Sequence, residues 1–310
     1  MIPAAARKSV EFPKMSLILG AYAAQPAVET ASFYAGLGAI DSIRGLELPF
    51  GPLGGGPWPE GAPGGFSAVV TAIPGTMQRL QCSPSFGLAS ADAEGRNEAL
   101  AYVSELRSYV SRLEGEGHSV EAVELHSAPA YSSSASAFER SLREILEWDW
   151  GSTQVCIEHC DAPRAGHASE KGFLPLEEEM EVLSTLGASG ARVGLVINWG
   201  RSVIESGDPG SVVAQLAEAR EAGVLYGVMF SGCSPVETEF GYPWIDAHLP
   251  AVEVTGAPLS SLLNRHEIQK CLTAAGPVPL VGFKIGLGDP GLGVPERLQR
   301  LAQMSALTAG

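Results

Sequence analysis

Eight short apolar runs, most of them followed by a turn and a segment of helical period, constrain this chain more than any single motif does. The runs are Leu17 to Ala23, Ile43 to Phe50, Ala68 to Pro74, Val120 to His126, Gln154 to Cys160, Arg192 to Asn198, Leu225 to Ser231 and Leu280 to Leu287. Helices are predicted over Glu29 to Ile40, Glu94 to Leu113, Ala135 to Trp148, Leu176 to Leu186, Ser211 to Ala222, Ser260 to Ala275 and Pro295 to Leu307. In the second of these, Val103, Leu106, Val110 and Leu113 recur at helical spacing, while Glu105, Arg107 and Arg112 take the other faces. The rhythm breaks from Gly51 to Gly65, where Gly and Pro replace the helix due after the second run, so that helix is short or missing. Strands and amphipathic helices alternating in this way over 310 residues predict an α/β fold, a closed (β/α)8 TIM barrel whose active site lies where the strands end. An open doubly wound sheet would want a Gly-rich phosphate turn after an early strand, and the glycines between Gly51 and Gly56 lack that spacing. No internal linker appears, so one barrel domain is expected over 16–310 behind a flexible amino-terminal tail over 1–15.

Charge narrows the function. Lys and Arg number 20 against 35 Asp and Glu, a formal net charge of −15, and no segment is rich in basic residues. Nucleic acid and acidic membranes are therefore excluded as partners, because phosphate binding needs a basic patch. The apolar runs fall far short of the roughly 20 residues of a spanning helix. Arg7 and Lys8 precede Tyr22 and Gln25 rather than a continuous apolar core, so no export signal is read. Five cysteines, an odd number over a long chain, suit reduced thiols in a cytoplasm.

Strand parity assigns side chains to faces. Val123 and Leu125 go outward under the helices, which sends Glu124 and His126 into the barrel; Val155 and Ile157 do the same for Glu158. The rule sends Asn198, Ser231 and Lys284 inward opposite Ile197, Phe230 and Phe283, and Glu47 inward beside Leu46 and Leu48. One buried Glu needs only a Lys partner. Three carboxylates, a His and a Lys buried together are costly unless they pair, coordinate a metal or face a wet pocket, so the set points to function. His159 has the opposite parity and is read as structural. Cys156 and Cys160 flank Glu158 on one extended strand, where ligands diverge, and are read as small core residues rather than a zinc cluster. The Gly-, Pro- and aromatic-rich stretch from Gly232 to Pro258 reads as a rim or lid. Arg201 and Lys284, with Lys171 or Arg79, are candidates to grip an anion; the alternative is that Arg201 neutralises Glu158 or Asp246.

Gly45-Leu46-Glu47-Leu48-Pro49, the strand ending in His126, Ile157-Glu158-His159 and Asp246-Ala247-His248 resemble the xylose-isomerase-like barrel superfamily. That group includes sugar-phosphate isomerases, ketose 3-epimerases and endonuclease IV. More closely, Ile43 to Phe50, Ile73 to Met77, Glu124 to Pro129, Ile157 to Asp161 and Asn198 to Ser202 are similar to the family DUF4862 from Leu17 onward, a name that brings no established chemistry. The superfamily resemblance implies a divalent metal held by a Glu on the fifth strand, an Asp with a nearby His on the sixth, a His or Asp on the seventh and a Glu on the eighth. This chain keeps Glu158 but has Asn198 and Arg201, Ser231, and Lys284 at the later places. A cation stands where a carboxylate ligand is expected, so the usual metal site is not intact. A rearranged set of Glu158, Asp246 and His248, with His126, stays open for Mn²⁺, Zn²⁺ or Mg²⁺; otherwise no cofactor is expected.

The resulting expectation is an isomerase or epimerase acting on a small sugar or an acidic sugar derivative by proton transfer next to a carbonyl. Glu158 is the expected base with Glu124 as its partner, and Lys284 or His126 polarises the oxygen. Glu47, Asn198, Arg201, Ser231, Trp199 and Trp244 are the expected substrate contacts. A Schiff-base lyase or aldolase using Lys284 and a non-catalytic sugar-binding barrel are the alternatives. A homodimer is left open.

Overall fold

The computed structural model describes residues 17–51, 53–164 and 169–309, and the tail expected over 1–15 lies outside the described residues. Eight strands, Leu17–Leu19 (β1), Ile43–Gly51 (β2), Ser67–Thr71 (β3), Ser119–Leu125 (β4), Gln154–Glu158 (β5), Val193–Asn198 (β6), Leu225–Phe230 (β7) and Leu280–Phe283 (β8), pair in parallel in that order. β1 pairs with both β2 and β8, so the sheet closes on itself as the expected TIM barrel. The helices are Thr30–Leu37 (α1), Ile73–Cys82 (α2), Ala93–Gly115 (α3), Ala135–Leu146 (α4), Leu176–Ala188 (α5), Trp199–Ser206 (α6), Pro209–Glu221 (α7), Arg265–Ala275 (α8) and Val294–Thr308 (α9). Among the described residues none is long and apolar enough to cross a membrane.

Between β2 and β3 the Gly- and Pro-rich stretch forms a two-residue antiparallel strand, Gly54–Gly55, and no helix among its described residues, as its composition predicts. Two helices were not expected. α2 starts at once after β3 with a proline in its first turn, where a missing N–H costs nothing. α6 starts directly from β6, because the Asn198 side chain accepts a hydrogen bond from the Arg201 backbone N–H and so caps the helix. Asn198 is thus both the last strand residue and the helix cap, and the turn swings Arg201 back over the barrel mouth. The helix expected from Ser260 begins only at Arg265, where Asn264 caps it by accepting from the Glu267 N–H. The runs at Leu17 to Ala23 and Leu280 to Leu287 stop pairing at Leu19 and Phe283, with Ala21–Ala23 turning into a short 3-10 helix.

Inside the barrel, Ile18, Val69, Ala122, Cys156, Val196, Met229 and Leu280 meet as a buried apolar plug, one residue from nearly every strand. The next inward residue on four of these strands, two positions on, is Glu124, Glu158, Asn198 or Ser231. A polar layer therefore lies directly above the apolar one. The outer faces of the strands pack under the helices in a single large core that includes Leu46, Val123, Ile157, Ile197, Phe230 and Phe283.

Gly20 lets the polar layer close. A Cβ there would lie 2.8 Å from Glu47 Oε2 and 2.8 Å from both Cβ and Cγ of Lys284. Gly20→Ala is therefore expected to lower stability by about 1–3 kcal/mol through overpacking against two buried charged side chains, read as a fall in the denaturant midpoint at unchanged slope.

Candidate active site

Glu47, Glu124, His126, Glu158, Asn198, Ser231 and Lys284 are all at least 98 % buried and together form the polar layer at the carboxyl ends of the strands. Glu158 is the most fully bonded member. Its Oε1 accepts from Asn198 Nδ2 at 2.8 Å, and its Oε2 lies 3.0 Å from His126 Nε2 and 2.6 Å from Arg201 Nη1. Burial pushes its pKa up, but the Arg201 and Lys284 charges and the His126 hydrogen bond outweigh burial and hold it well below the ordinary value. Glu158 is an anion with both oxygens bonded. Burial lowers the pKa of His126 from its ordinary value, so the ring is neutral near pH 7. An ionised carboxylate only accepts, hence His126 Nε2 carries the proton and Nδ1 is a bare acceptor without a partner.

Lys284 Nζ donates to Glu47 Oε1 at 2.9 Å and lies 5.6 Å from the centre of the Tyr22 ring. Burial alone would lower its pKa; the charges of Glu47 and Glu158 reverse this and hold it well above the ordinary value. Tyr22 was not expected from the sequence. Its phenol is raised by burial and by Glu47 against the pull of Lys284, and its position after the end of β1 is the only signal that marks it. Glu124 differs from every other carboxyl of the layer, since neither of its oxygens has a hydrogen-bond partner. Burial, then the charges of Glu158 and Glu47, push its pKa well above the ordinary carboxyl value.

Over this layer sits a second set of ion pairs. Arg201 Nε reaches Asp246 Oδ2 at 3.1 Å, Lys171 Nζ reaches the same oxygen at 2.9 Å, and His248 Nδ1 lies 3.4 Å from Asp246 Oδ1. Arg201 thus neutralises both Glu158 and Asp246, and each basic group expected to grip an anion is already matched to a carboxylate. Arg79 stands apart in α2, paired with Glu105 and over the Tyr102 ring. Ser231 donates to Asn198 Oδ1 at 3.3 Å and belongs to the layer. Trp199 does not face it: at 0 % exposure it packs in the helix-side core, because it follows the inward Asn198 at the first position of α6. Trp244 packs against the same core, with a left-handed backbone.

His159 faces the opposite way from Glu158, under the helices. Its Nδ1 lies 2.8 Å from Glu179 of α5 and its Nε2 3.0 Å from Glu205 of α6. Burial opposes the proton, but the two carboxylates win and push the His159 pKa up to about 10. The imidazolium ties the helix that carries Arg201 to the strand that carries Glu158. Cys156 and Cys160 lie in separate core clusters, as their divergence along one strand requires.

Solved structures of similar fold include xylose-isomerase-like barrels. A xylose isomerase domain containing protein from Salmonella typhimurium LT2 aligns over 97% of this chain and 100% of its own, with a TM-score of 0.60 and 8% identity. D-psicose 3-epimerase from Clostridium cellulolyticum H10 aligns over 94% and 96%, with a TM-score of 0.54 and 15% identity. At such identities the likeness concerns the fold. Residues 18–300 match the domain of unknown function DUF4862, and an uncharacterized protein of Salmonella typhimurium strain LT2 is 36% identical over 286 residues, 86% of this chain and 88% of that one. The chain belongs to the DUF4862 family.

The divalent metal that the superfamily resemblance implies does not fit the residues as folded. Asp246, expected to be a ligand with Glu158 and His248, is held by two cations. Among the described residues the potential ligands that converge are instead Glu47, Glu124 and Glu158, and Glu47 is bonded to Lys284 while Glu158 is bonded to Arg201. A divalent ion would meet two resident positive charges at that place.

The His159 clamp has a pH signature. A group whose pKa is raised on folding contributes stability in full below its unfolded value, about 6.5, and loses it as pH rises through the folded value. His159→Gln is expected to cost about 3–5 kcal/mol near pH 7, since it strands the buried Glu179 and the partly buried Glu205 carboxylates. The gap in Tm between wild type and variant should close as pH rises toward about 10, the value to which His159 is raised, and a gap that stays constant across that range would refute the clamp.

Proposed function

We propose that this protein is an isomerase or epimerase that moves a proton at the carbon beside a carbonyl group of a small polyhydroxylated compound, with Glu124 as the proton carrier and Lys284 as the group that stabilises the developing oxyanion. The reading rests foremost on one observation: Glu47 Oε2, both Glu124 oxygens and His126 Nδ1, all buried in the polar layer, have no hydrogen-bond partners. Buried acceptors are left unpaired at a cost of about 1–3 kcal/mol each, and a ligand rich in hydroxyl groups is the class of molecule that satisfies several at once.

Glu158 was the base expected from the sequence. Its three partners and depressed pKa make it a poor proton acceptor, whereas the raised pKa of Glu124 is the direction a group needs to take and return a proton near neutrality. In this scheme Glu124 acts from its ionised form: the C–H proton passes to its carboxylate, the bonding electrons move onto the carbonyl oxygen, and the Lys284 ammonium, with one of its three protons committed to Glu47, donates to that oxygen. Glu158 stays a fixed anion that holds Asn198, His126 and Arg201 in place. A Schiff-base role for Lys284 is disfavoured because its raised pKa keeps it an ammonium, which is not a nucleophile. Solved barrels of similar fold that carry the name D-psicose 3-epimerase support the reaction class.

The test is exchange in D₂O with a panel of aldoses, ketoses and sugar acids, followed by NMR. The expected result is deuterium at the carbon beside the carbonyl for at least one of them, and a loss of about 10²-fold to 10⁴-fold in rate for Glu124→Gln. Thermal stabilisation by a sugar that never exchanges would leave a binding protein, and exchange untouched in Glu124→Gln would remove Glu124 from the role.

A further inference from the structure

Glu47, Glu124 and Glu158 each bring one carboxylate oxygen to within 4.8 Å of the other two. Metal–oxygen bonds of about 2.0–2.6 Å place donors of one divalent ion within about twice that distance of each other, so the spacing is that of a cation cage. Acidic clusters are common on protein surfaces, but this one is buried, and its three orphan oxygens, two on Glu124 and one on Glu47, lie inside the closed barrel. Oxygens so placed call for a positive charge.

One is already there. Lys284 reaches Glu47 Oε1 from β8, and its charge acts on Glu124 and Glu158 as well. The fold makes room for it: Gly20, next to the end of β1, has no side chain to collide with the Lys284 stem, and the Tyr22 ring lies 5.6 Å from the ammonium. Arg201, the other buried cation, bonds the Oε2 edge of Glu158.

We propose that Glu47, Glu124 and Glu158 form a divalent-cation cage whose cation is built into the chain as the Lys284 ammonium, so that the wild-type protein keeps Mn²⁺ out and shortening Lys284 admits one ion. The ammonium supplies a single fixed charge, with three directed protons, where a metal would supply two charges and open coordination positions. Loss of Lys284 leaves three converging carboxylates with no internal counter-charge at Glu47, and a divalent ion is the compact species that restores it.

The probe is Mn²⁺ alone, added to metal-stripped protein and followed by calorimetry and by the loss of the free-ion EPR signal. Wild type is expected to show no stoichiometric uptake. Lys284→Ala should take up one Mn²⁺ per chain at least about a hundredfold more tightly than wild type, because a repelling charge a few ångströms away is gone. Adding Glu124→Gln to that variant should abolish the gain. Folded Lys284→Ala that binds no Mn²⁺, or wild type that binds one ion in a Glu124-dependent way, overturns the proposal. If Lys284→Ala does not fold, Lys284→Ser is measured instead, with and without millimolar Mn²⁺. Recovery of folding by the metal supports the cage, since a ligand that binds only the native state stabilises it. Failure of both variants to fold in Mn²⁺ counts against the cage for the same reason. The readout is uptake of an ion and does not depend on whether the sugar reaction exists.

Discussion

The pairing of charges buried at the mouth of the barrel is the constraint to which the rest of the molecule answers. Glu47, Glu158 and Asp246 are matched by Lys284, Arg201 and Lys171, each held within 3.1 Å of a partner. An ion taken out of water loses several kcal/mol of solvation even after relaxation, and it is tolerated only when a counter-charge and hydrogen bonds replace the water. Among the described residues, balance leaves Glu124 as the carboxyl of the polar layer with no hydrogen bond to either oxygen, and burial and its anionic neighbours outweigh the more distant Lys284 and Arg201 charges and raise its pKa.

The scaffold supplies what this arrangement needs. The apolar plug below the polar layer seals the barrel from the other end, so the charged groups have no route to solvent through the floor. The Asn198 cap turns the chain from β6 straight into α6 and delivers Arg201 over Glu158, while the same Asn198 side chain donates to Glu158. Behind the sheet, His159 between Glu179 and Glu205 fixes α5 and α6 to β5. Removal of any one of these leaves a charge without a partner in a place water does not reach.

Positive charges lie at the centre of this barrel. Resident cations occupy the space that carboxylates would leave for an ion, and the basic groups that would greet an anionic substrate are spoken for by Asp246 and Glu47. The free hydrogen-bonding capacity is instead in acceptors, which suits hydroxyl groups better than phosphates or carboxylates.

Much of this was legible in local periodicity. A period of two sends alternate residues to opposite faces whatever the partner strand, so the inward positions of Glu47, Glu124, Glu158, Asn198, Ser231 and Lys284 followed from their neighbours, as did the outward position of His159. The eightfold alternation likewise determined the closed barrel, and Gly and Pro after β2 determined the missing helix. Partner choice was a different matter. Whether Arg201 meets Glu158, a substrate or solvent depends on a helix that starts one residue after a strand, and the contact of Lys171 with Asp246 joins positions 75 residues apart. The assignment of the anion to Glu158 and of the proton to Glu124 depends on which of two inward carboxylates a distant guanidinium reaches. Such contacts are decided by closure of the sheet, because only there do strands distant in sequence bring their inward ends within a few ångströms, and at that range the charges, rather than the local pattern, select the state of each group.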